Sequence, residues 1–95
     1  MHYQEYIVTT VPNTSGGSSA SLRVVPLPGQ GISTNTKVEC SRSMRKQHPQ
    51  GTLFKISLTL TSREGGTEFL YAHYNSDYEV VSKADAEKFI MKTFK

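Results

Sequence analysis

Hydrophobic and polar residues alternate most regularly between Leu53 and Ser62. The apolar side chains occupy every second position, as they do in a strand that has one buried face. The apolar positions are Phe54, Ile56, Leu58 and Leu60, and the polar positions between them are Lys55, Ser57, Thr59 and Thr61. This pattern predicts a long strand with one face on the core and the other in water.

Three further strands are predicted before this one. Residues 2–11 are rich in β-branched and aromatic side chains, residues 21–25 form a short apolar run, and residues 36–43 alternate weakly. In the last of these, Val38 and Cys40 share a face. Pro26 and Pro28 end the second strand, because proline donates no hydrogen bond to a sheet. Residues 12–19 contain no large apolar side chain and are expected to form a flexible loop.

A glycine pair, Gly65-Gly66, separates the long strand from the next apolar run and predicts a hairpin. The length of the hairpin loop decides which face of the second strand is buried. A loop of two or four residues puts Phe69, Tyr71 and His73 on the face of Leu58. A loop of three residues puts Leu70, Ala72 and Tyr74 there instead. Both sets suit a core, and the sequence leaves this choice open.

The C-terminal segment has the pattern of an amphipathic helix, from about residue 83 to 94. Ser82 is a good N-cap residue, and Asp85 stands three positions later, as in a capping box. Ala86, Phe89, Ile90 and Phe94 recur at helical spacing on one face. Residues 78–81 are expected to form a short extended link before the helix.

These elements predict an α+β fold: a mainly antiparallel sheet of about five strands, twisted or closed into a small barrel, with one C-terminal helix. The 95 residues suffice for a single small domain, either complete or as the N-terminal module of a longer protein. The sequence contains no apolar run long enough to span a membrane and no N-terminal secretion signal, so the expected location is the cytoplasm.

Charge is distributed unevenly along the chain. The net charge is only +3, but the segment between Cys40 and Arg63 contains five cations and no acid. Residues 42–52 form a basic connection that ends in a Pro-x-Gly turn before the long strand. A basic block in an otherwise slightly acidic chain indicates a polyanionic partner, although solvated charges on a loop are an equally ordinary explanation.

Catalytic and metal-binding patterns are weak. The three histidines and Cys40 show no spacing typical of a zinc site, and no cofactor is indicated. Cys40 lies on the same predicted strand face as Val38, which suits a small core residue better than a nucleophile. The acidic residues fall in turns, at strand edges and on the helix surface. We therefore expect a protein that is not an enzyme.

The hypothesis that best uses the basic connection is binding to nucleic acid, DNA or RNA. Phosphate contacts are expected from the cations, base contacts from Gln47 and His48, and stacking from Tyr71 and His73. The cations are Arg42, Arg45, Lys46, Lys55 and Arg63. The alternative is a protein–protein interaction or assembly module without nucleic-acid binding, such as an accessory or bacteriophage-type protein that uses its aromatic side chains and an edge strand.

Overall fold

A computed structural model of the protein describes residues 3–12, 22–40, 42–62, 66–73 and 77–94. These residues form six strands and two helices. The strands are β1 (Gln4–Pro12), β2 (Leu22–Pro26), β3 (Lys37–Glu39), β4 (Leu53–Ser62), β5 (Glu68–Tyr71) and β6 (Tyr78–Val81). The helices are α1 (Arg42–Gln47) and α2 (Lys83–Phe94). The predicted flexible loop lies outside the described residues, apart from Pro12, which ends β1.

The sheet is organised around β4. Strand β1 pairs antiparallel with the first half of β4, and β6 pairs with the same residues from the opposite edge. Strand β5 pairs antiparallel with the second half of β4, β2 continues the sheet beyond β1, and β3 continues it beyond β5. Strand β3 then approaches β2, so the sheet nearly closes into a barrel. The predicted α+β fold with a barrel-like sheet is confirmed.

The main core fills the inside of this barrel. Phe54, Ile56 and Leu58 are buried there, as the alternation in β4 predicts. Val38 and Cys40 pack against the same core, which confirms their shared face. The hydrophobic residues buried in this core are Tyr6, Val8, Val24, Met44, Phe54, Ile56, Leu58, Leu70 and Ala72. Burying each large side chain contributes roughly 1.5–3 kcal/mol to folding, so these residues dominate stability.

A second, smaller core lies on the outer face of the barrel, under α2. Ala86 and Ile90 of the helix are buried against Ile7, with Leu53 and Val81 packed around them. The helix bounds agree with the prediction, and the amide of Asp85 donates to Ser82 Oγ over 3.1 Å. The expectation that the polar face of β4 lies in water is wrong at this end, because α2 covers it.

The loop between β4 and β5 has five residues, because Ser62 pairs with Glu68, and this gives the same register as the predicted three-residue loop. Leu60 lies opposite Leu70, so Leu70 and Ala72 are on the inner face and are buried. Two side chains depart from that alternative. Phe69, on the outer face, is also buried, and Leu60, predicted to be in the core, is 43% exposed. Leu60 lies beyond the last β4 residue that pairs with β1, so it is at the rim of the barrel.

Three elements differ from the sequence-based expectation. The predicted third strand is only three residues long, and the basic connection is not a loop but begins with α1. Arg42–Gln47 contains several good helix formers, and Pro49 prevents the helix from continuing. Residues 78–81, expected as a link, form a sixth strand because their backbone pairs with the free edge of β4. One pairing, β3 with β5, is parallel.

The turn after α1 is attached to the end of β1. Gly51 donates its amide to Thr10, both to the backbone oxygen at 3.2 Å and to Oγ1 at 3.1 Å. Gly51 has a φ of 88°, a backbone conformation that residues other than glycine rarely adopt. These bonds fix the point at which the chain enters β4, and so fix α1 relative to the barrel.

Candidate nucleic-acid interface

Helix α1 is anchored to the barrel by Met44. This side chain is fully buried in the main core, whereas Lys46 and Gln47 on the same short helix are exposed. Neighbouring helical residues point about 100° apart, so one buried position leaves the others at the surface. No acidic residue occurs in the helix. Arg45 and Lys46, two of the five predicted phosphate contacts, thus lie on an element whose position is set by core packing.

Arg45 connects α1 to its neighbours. Its guanidinium Nη1 donates to the backbone oxygen of Leu22 at 3.4 Å, and the side chain is half-buried. Arg45 also lies close enough to Cys40 to affect its thiol. Burial raises the pKa of Cys40 above its ordinary value, and the positive charge of Arg45 offsets part of that rise. Cys40 is therefore mainly a protonated thiol at neutral pH, as suits a core residue.

His48, predicted to contact bases, is half-buried at the end of α1. Its ring packs edge-on against Phe54, with centroids 5.2 Å apart, and against Tyr78, with centroids 5.7 Å apart. Its Nε2 is 3.1 Å from the Tyr78 hydroxyl. The three rings form one cluster, because Phe54 and Tyr78 are themselves 5.3 Å apart. These contacts give His48 a structural role between α1 and β6.

Lys55 is separated from α1 by the sheet. Phe54 faces the inside of the barrel and His48, whereas Lys55, the next residue along β4, faces α2. Its ammonium group is 3.7 Å from a carboxylate oxygen of Glu79 and 5.5 Å from the centre of the Phe89 ring. A cation held between a carboxylate and a ring is poorly available to phosphate. The expectation that Lys55 contacts phosphate together with the cations of residues 42–52 receives no support from this geometry.

The remaining predicted site residues lie elsewhere. Arg63 is outside the described residues. Arg42 is the first residue of α1. Tyr71 is half-buried and His73 is exposed, at the end of β5. Because β5 runs parallel to β3, Tyr71 pairs with Glu39, from which the chain continues through residues 40 and 41 into α1. The structure therefore brings this end of β5 towards the start of the basic helix.

The structure adds one cation that the sequence analysis missed. Arg23 is exposed on β2 and directly follows Leu22, the residue whose carbonyl oxygen accepts the hydrogen bond from Arg45. The exposure of Arg23 could have been predicted from the alternation of the two faces in β2, in which Val24 and Pro26 are buried and Arg23 and Val25 point the other way. We define the basic surface as Arg23, Arg45 and Lys46, together with Arg42, which is included as the first residue of α1.

Opposite charges occupy different parts of the chain. Residues 6–63, which include the basic surface, contain seven cations and a single acid, Glu39, whereas residues 64–95 contain six acids and four cations. Glu39 itself is 3.8 Å from Lys37. The net charge of +3 therefore combines a strongly basic segment with a slightly acidic one.

Other kinds of site find no support in the described ranges. They contain no group of three histidine, cysteine or carboxylate side chains that could hold a metal ion. Neither described helix is long and apolar enough to cross a membrane. Comparison of the chain with protein-family models, with curated proteins and with solved structures finds no match in any of the three.

Proposed function

We propose that this protein is a non-catalytic module that binds nucleic acid, DNA or RNA, through the basic surface. Arg23, Arg42, Arg45 and Lys46 contact phosphates, and Gln47, exposed at the end of α1, is the candidate for a base contact. Lys55 has no part in this revised surface. His48 supports the surface from behind through its contacts with Phe54 and Tyr78.

The observation that carries the proposal is the complete burial of Met44 in the middle of the basic helix. Lysine and arginine on a mobile connection lose conformational entropy when they bind, and this cost weakens binding. Cations on an element that the core already holds in place avoid much of the backbone part of that cost. A solvated basic loop, the ordinary explanation of such a charge block, has no need of a buried anchor.

The chemistry of the surface suits phosphate. Arginine predominates, and its planar guanidinium can donate two hydrogen bonds to one phosphate group. The absence of an acid from α1 removes a competing partner for these groups. Binding dominated by such contacts releases counterions, so the affinity is expected to fall steeply with salt.

The test is a pair of matched double variants in which two cations become glutamines. Arg45→Gln/Lys46→Gln alters the basic surface, and Lys88→Gln/Lys92→Gln removes the same charge from two exposed positions of α2. Binding to short single- and double-stranded oligonucleotides is followed by fluorescence anisotropy at several salt concentrations. The first variant should bind any sequence several-fold more weakly, with a salt slope smaller by roughly 1.5 to 2. The second should bind nearly as the parent does.

Two results would contradict the proposal. One is a parent protein that binds no oligonucleotide at low salt. The other is equal weakening by both double variants, since this would show a response to net charge rather than to a particular surface. Circular dichroism and urea unfolding of each variant establish that the fold is retained.

The alternative function is a protein–protein interaction or assembly module, and one feature favours it. Strand β6 pairs only with β4 among the described strands, and its Val80 is 51% exposed. An edge strand with an exposed apolar side chain can accept a strand from a partner. In that case Val80→Lys would abolish partner binding and leave oligonucleotide binding unchanged.

A further inference from the structure

We infer that the nucleic acid bound by this protein is single-stranded, with bases stacked on Tyr71 and Tyr3 on the outer face of the barrel. This inference rests on the proposed function, since it names the class of nucleic acid that reaches the basic surface. The supporting observations concern the part of the outer face around Thr59 of β4, between β5 on one side and the start of β1 on the other.

The first observation is the burial of Thr59. This residue lies on the outer face, because its neighbours Leu58 and Leu70 point into the barrel, yet it is only 4% exposed. Helix α2 packs at the other end of this face, around Leu53 and Lys55. A small polar side chain on an open sheet is buried in this way when larger neighbours lie over it.

Tyrosines occupy the positions beside Thr59. Tyr71 pairs directly with Thr59 across β4 and β5. On the opposite side, Gln4 pairs with Leu58, and continuing that register by one residue places Tyr3 opposite Thr59. Tyr3 is 42% exposed and Tyr71 is half-buried, so both rings retain accessible surface on the side of the sheet where Thr59 lies. We call Tyr3, Thr59 and Tyr71 the tyrosine row.

The tyrosine row lies within reach of the basic surface. Tyr71 pairs with Glu39 of β3, and Arg42 follows Glu39 by three residues. A strand spacing and three residues of extended chain separate the Cα atoms of Tyr71 and Arg42 by at most about 16 Å. Single-strand sites on small barrels extend over about 4–16 nucleotides, so one bound strand can cover both places. Glu39 lies between them with Lys37 only 3.8 Å away, which offsets its charge.

This arrangement favours a single strand over a duplex. Aromatic faces beside a cationic surface bind unstacked bases, and such stacking tolerates any base because every base has a π-face. In a duplex the bases are already stacked and paired, so no base is free to stack on the tyrosine rings. The short helix α1 supplies charge, and the tyrosine row supplies the preference for single strands.

The experiment compares three tyrosine variants with the parent, using a fluorescent single-stranded oligonucleotide and the same sequence as a duplex. Tyr71→Leu and Tyr3→Leu keep a large apolar side chain at each position but remove the ring. Each should weaken single-strand binding by about 5- to 150-fold and leave the salt slope unchanged. Tyr71→Phe, which keeps the ring and loses only the hydroxyl, should bind as the parent does. The duplex should bind more weakly than the single strand.

The outcomes separate this inference from the proposed function. Leucine variants that bind as tightly as the parent, or a duplex bound as tightly as the single strand, would overturn the inference. The proposed function would still stand if Arg45→Gln/Lys46→Gln weakened binding in the same assay. Absence of binding to either oligonucleotide would overturn both.

Discussion

The side chain of Gln30 takes the place of a missing strand beside Ile7. Its Oε1 accepts a hydrogen bond from the Ile7 amide at 2.7 Å, and its Nε2 donates to the Ile7 oxygen at 2.8 Å and to the Leu27 oxygen at 2.9 Å. Strand β2 pairs with β1 only from Val8 onwards; the Ile7 oxygen still accepts a hydrogen bond from the Leu27 amide at 3.1 Å, but the Ile7 amide has no backbone partner there, and Gln30 supplies its acceptor. Gln30 is almost completely buried, although it lies in a turn and is polar.

Replacing Gln30 should therefore destabilise the protein more than a substitution in a surface turn usually does. Gln30→Ala leaves the buried amide of Ile7 without this acceptor, which costs about 1–3 kcal/mol, and the loss of the remaining bonds adds to that. Gln50→Ala, at an exposed position of another turn, should change stability by less than about 0.5 kcal/mol. Urea unfolding at 25 °C measures both. Equal stability of the two variants would show that the Gln30 bonds contribute nothing.

Met44 should be the residue of α1 that matters most for stability. Met44→Ala removes a fully buried side chain and should cost about 2–5 kcal/mol, whereas Met44→Leu preserves volume and should cost less than about 1.5 kcal/mol. Lys46→Ala, on the exposed side of the same helix, should be nearly neutral. If Met44→Ala unfolded at the same urea concentration as the parent, α1 would not be anchored by the core.

The bond between His48 and Tyr78 should be measurable as a coupling energy. Tyr78→Phe keeps the ring contacts and removes the hydroxyl, so it should cost about 0.5–1.5 kcal/mol. His48→Ala should cost more, because it also removes edge-on contacts with Phe54 and Tyr78. In the double variant the two effects should not add, since both remove the same bond. Strict additivity in urea unfolding would place the two groups outside hydrogen-bonding contact.

Cys40 should react slowly with thiol reagents, and its reaction rate should change when Arg45 is replaced. Only the thiolate is nucleophilic, and burial raises the pKa of this thiol above 9.0. Alkylation by iodoacetamide at neutral pH should be slower than that of a cysteine in a short peptide, and should accelerate at alkaline pH. Arg45→Gln removes the charge that lowers the pKa, so alkylation should slow further. Lys46→Gln serves as the control. A faster reaction in the Arg45 variant would contradict the proximity of the two groups.

The raised pKa of Cys40 also makes the stability of the protein depend on pH in the alkaline range. The unfolded chain, in which the Cys40 pKa is near 9.0, releases the thiol proton more readily than the folded protein does. The contribution of the protonated thiol is therefore fully present below pH 9 and is lost as the pH rises through the folded-state value. Cys40→Ala should reduce the slope of stability against pH in this alkaline range.

Local sequence pattern was sufficient for the elements whose residues interact mainly with their own neighbours in the chain. The alternation from Leu53 to Ser62 predicted β4 with the observed bounds, because period-two burial is a property of one strand. Ser82 and the spacing of Ala86 and Ile90 predicted α2, because capping and helical spacing are likewise properties of a single element. The charge block and the core placement of Cys40 also followed from adjacent residues.

Tertiary structure alone decided which surfaces are covered and which residues meet. Alternation in β4 cannot show that α2 covers Lys55, that Leu60 lies at the rim, or that the hairpin places Leu70 opposite Leu60. The anchoring of α1 by Met44 depends on strands that lie before and after it in the chain. So does the pairing of Gln30 with Ile7, 23 residues away. Such contacts join distant segments, and their energies depend on the complete packing of the core rather than on any single stretch of sequence.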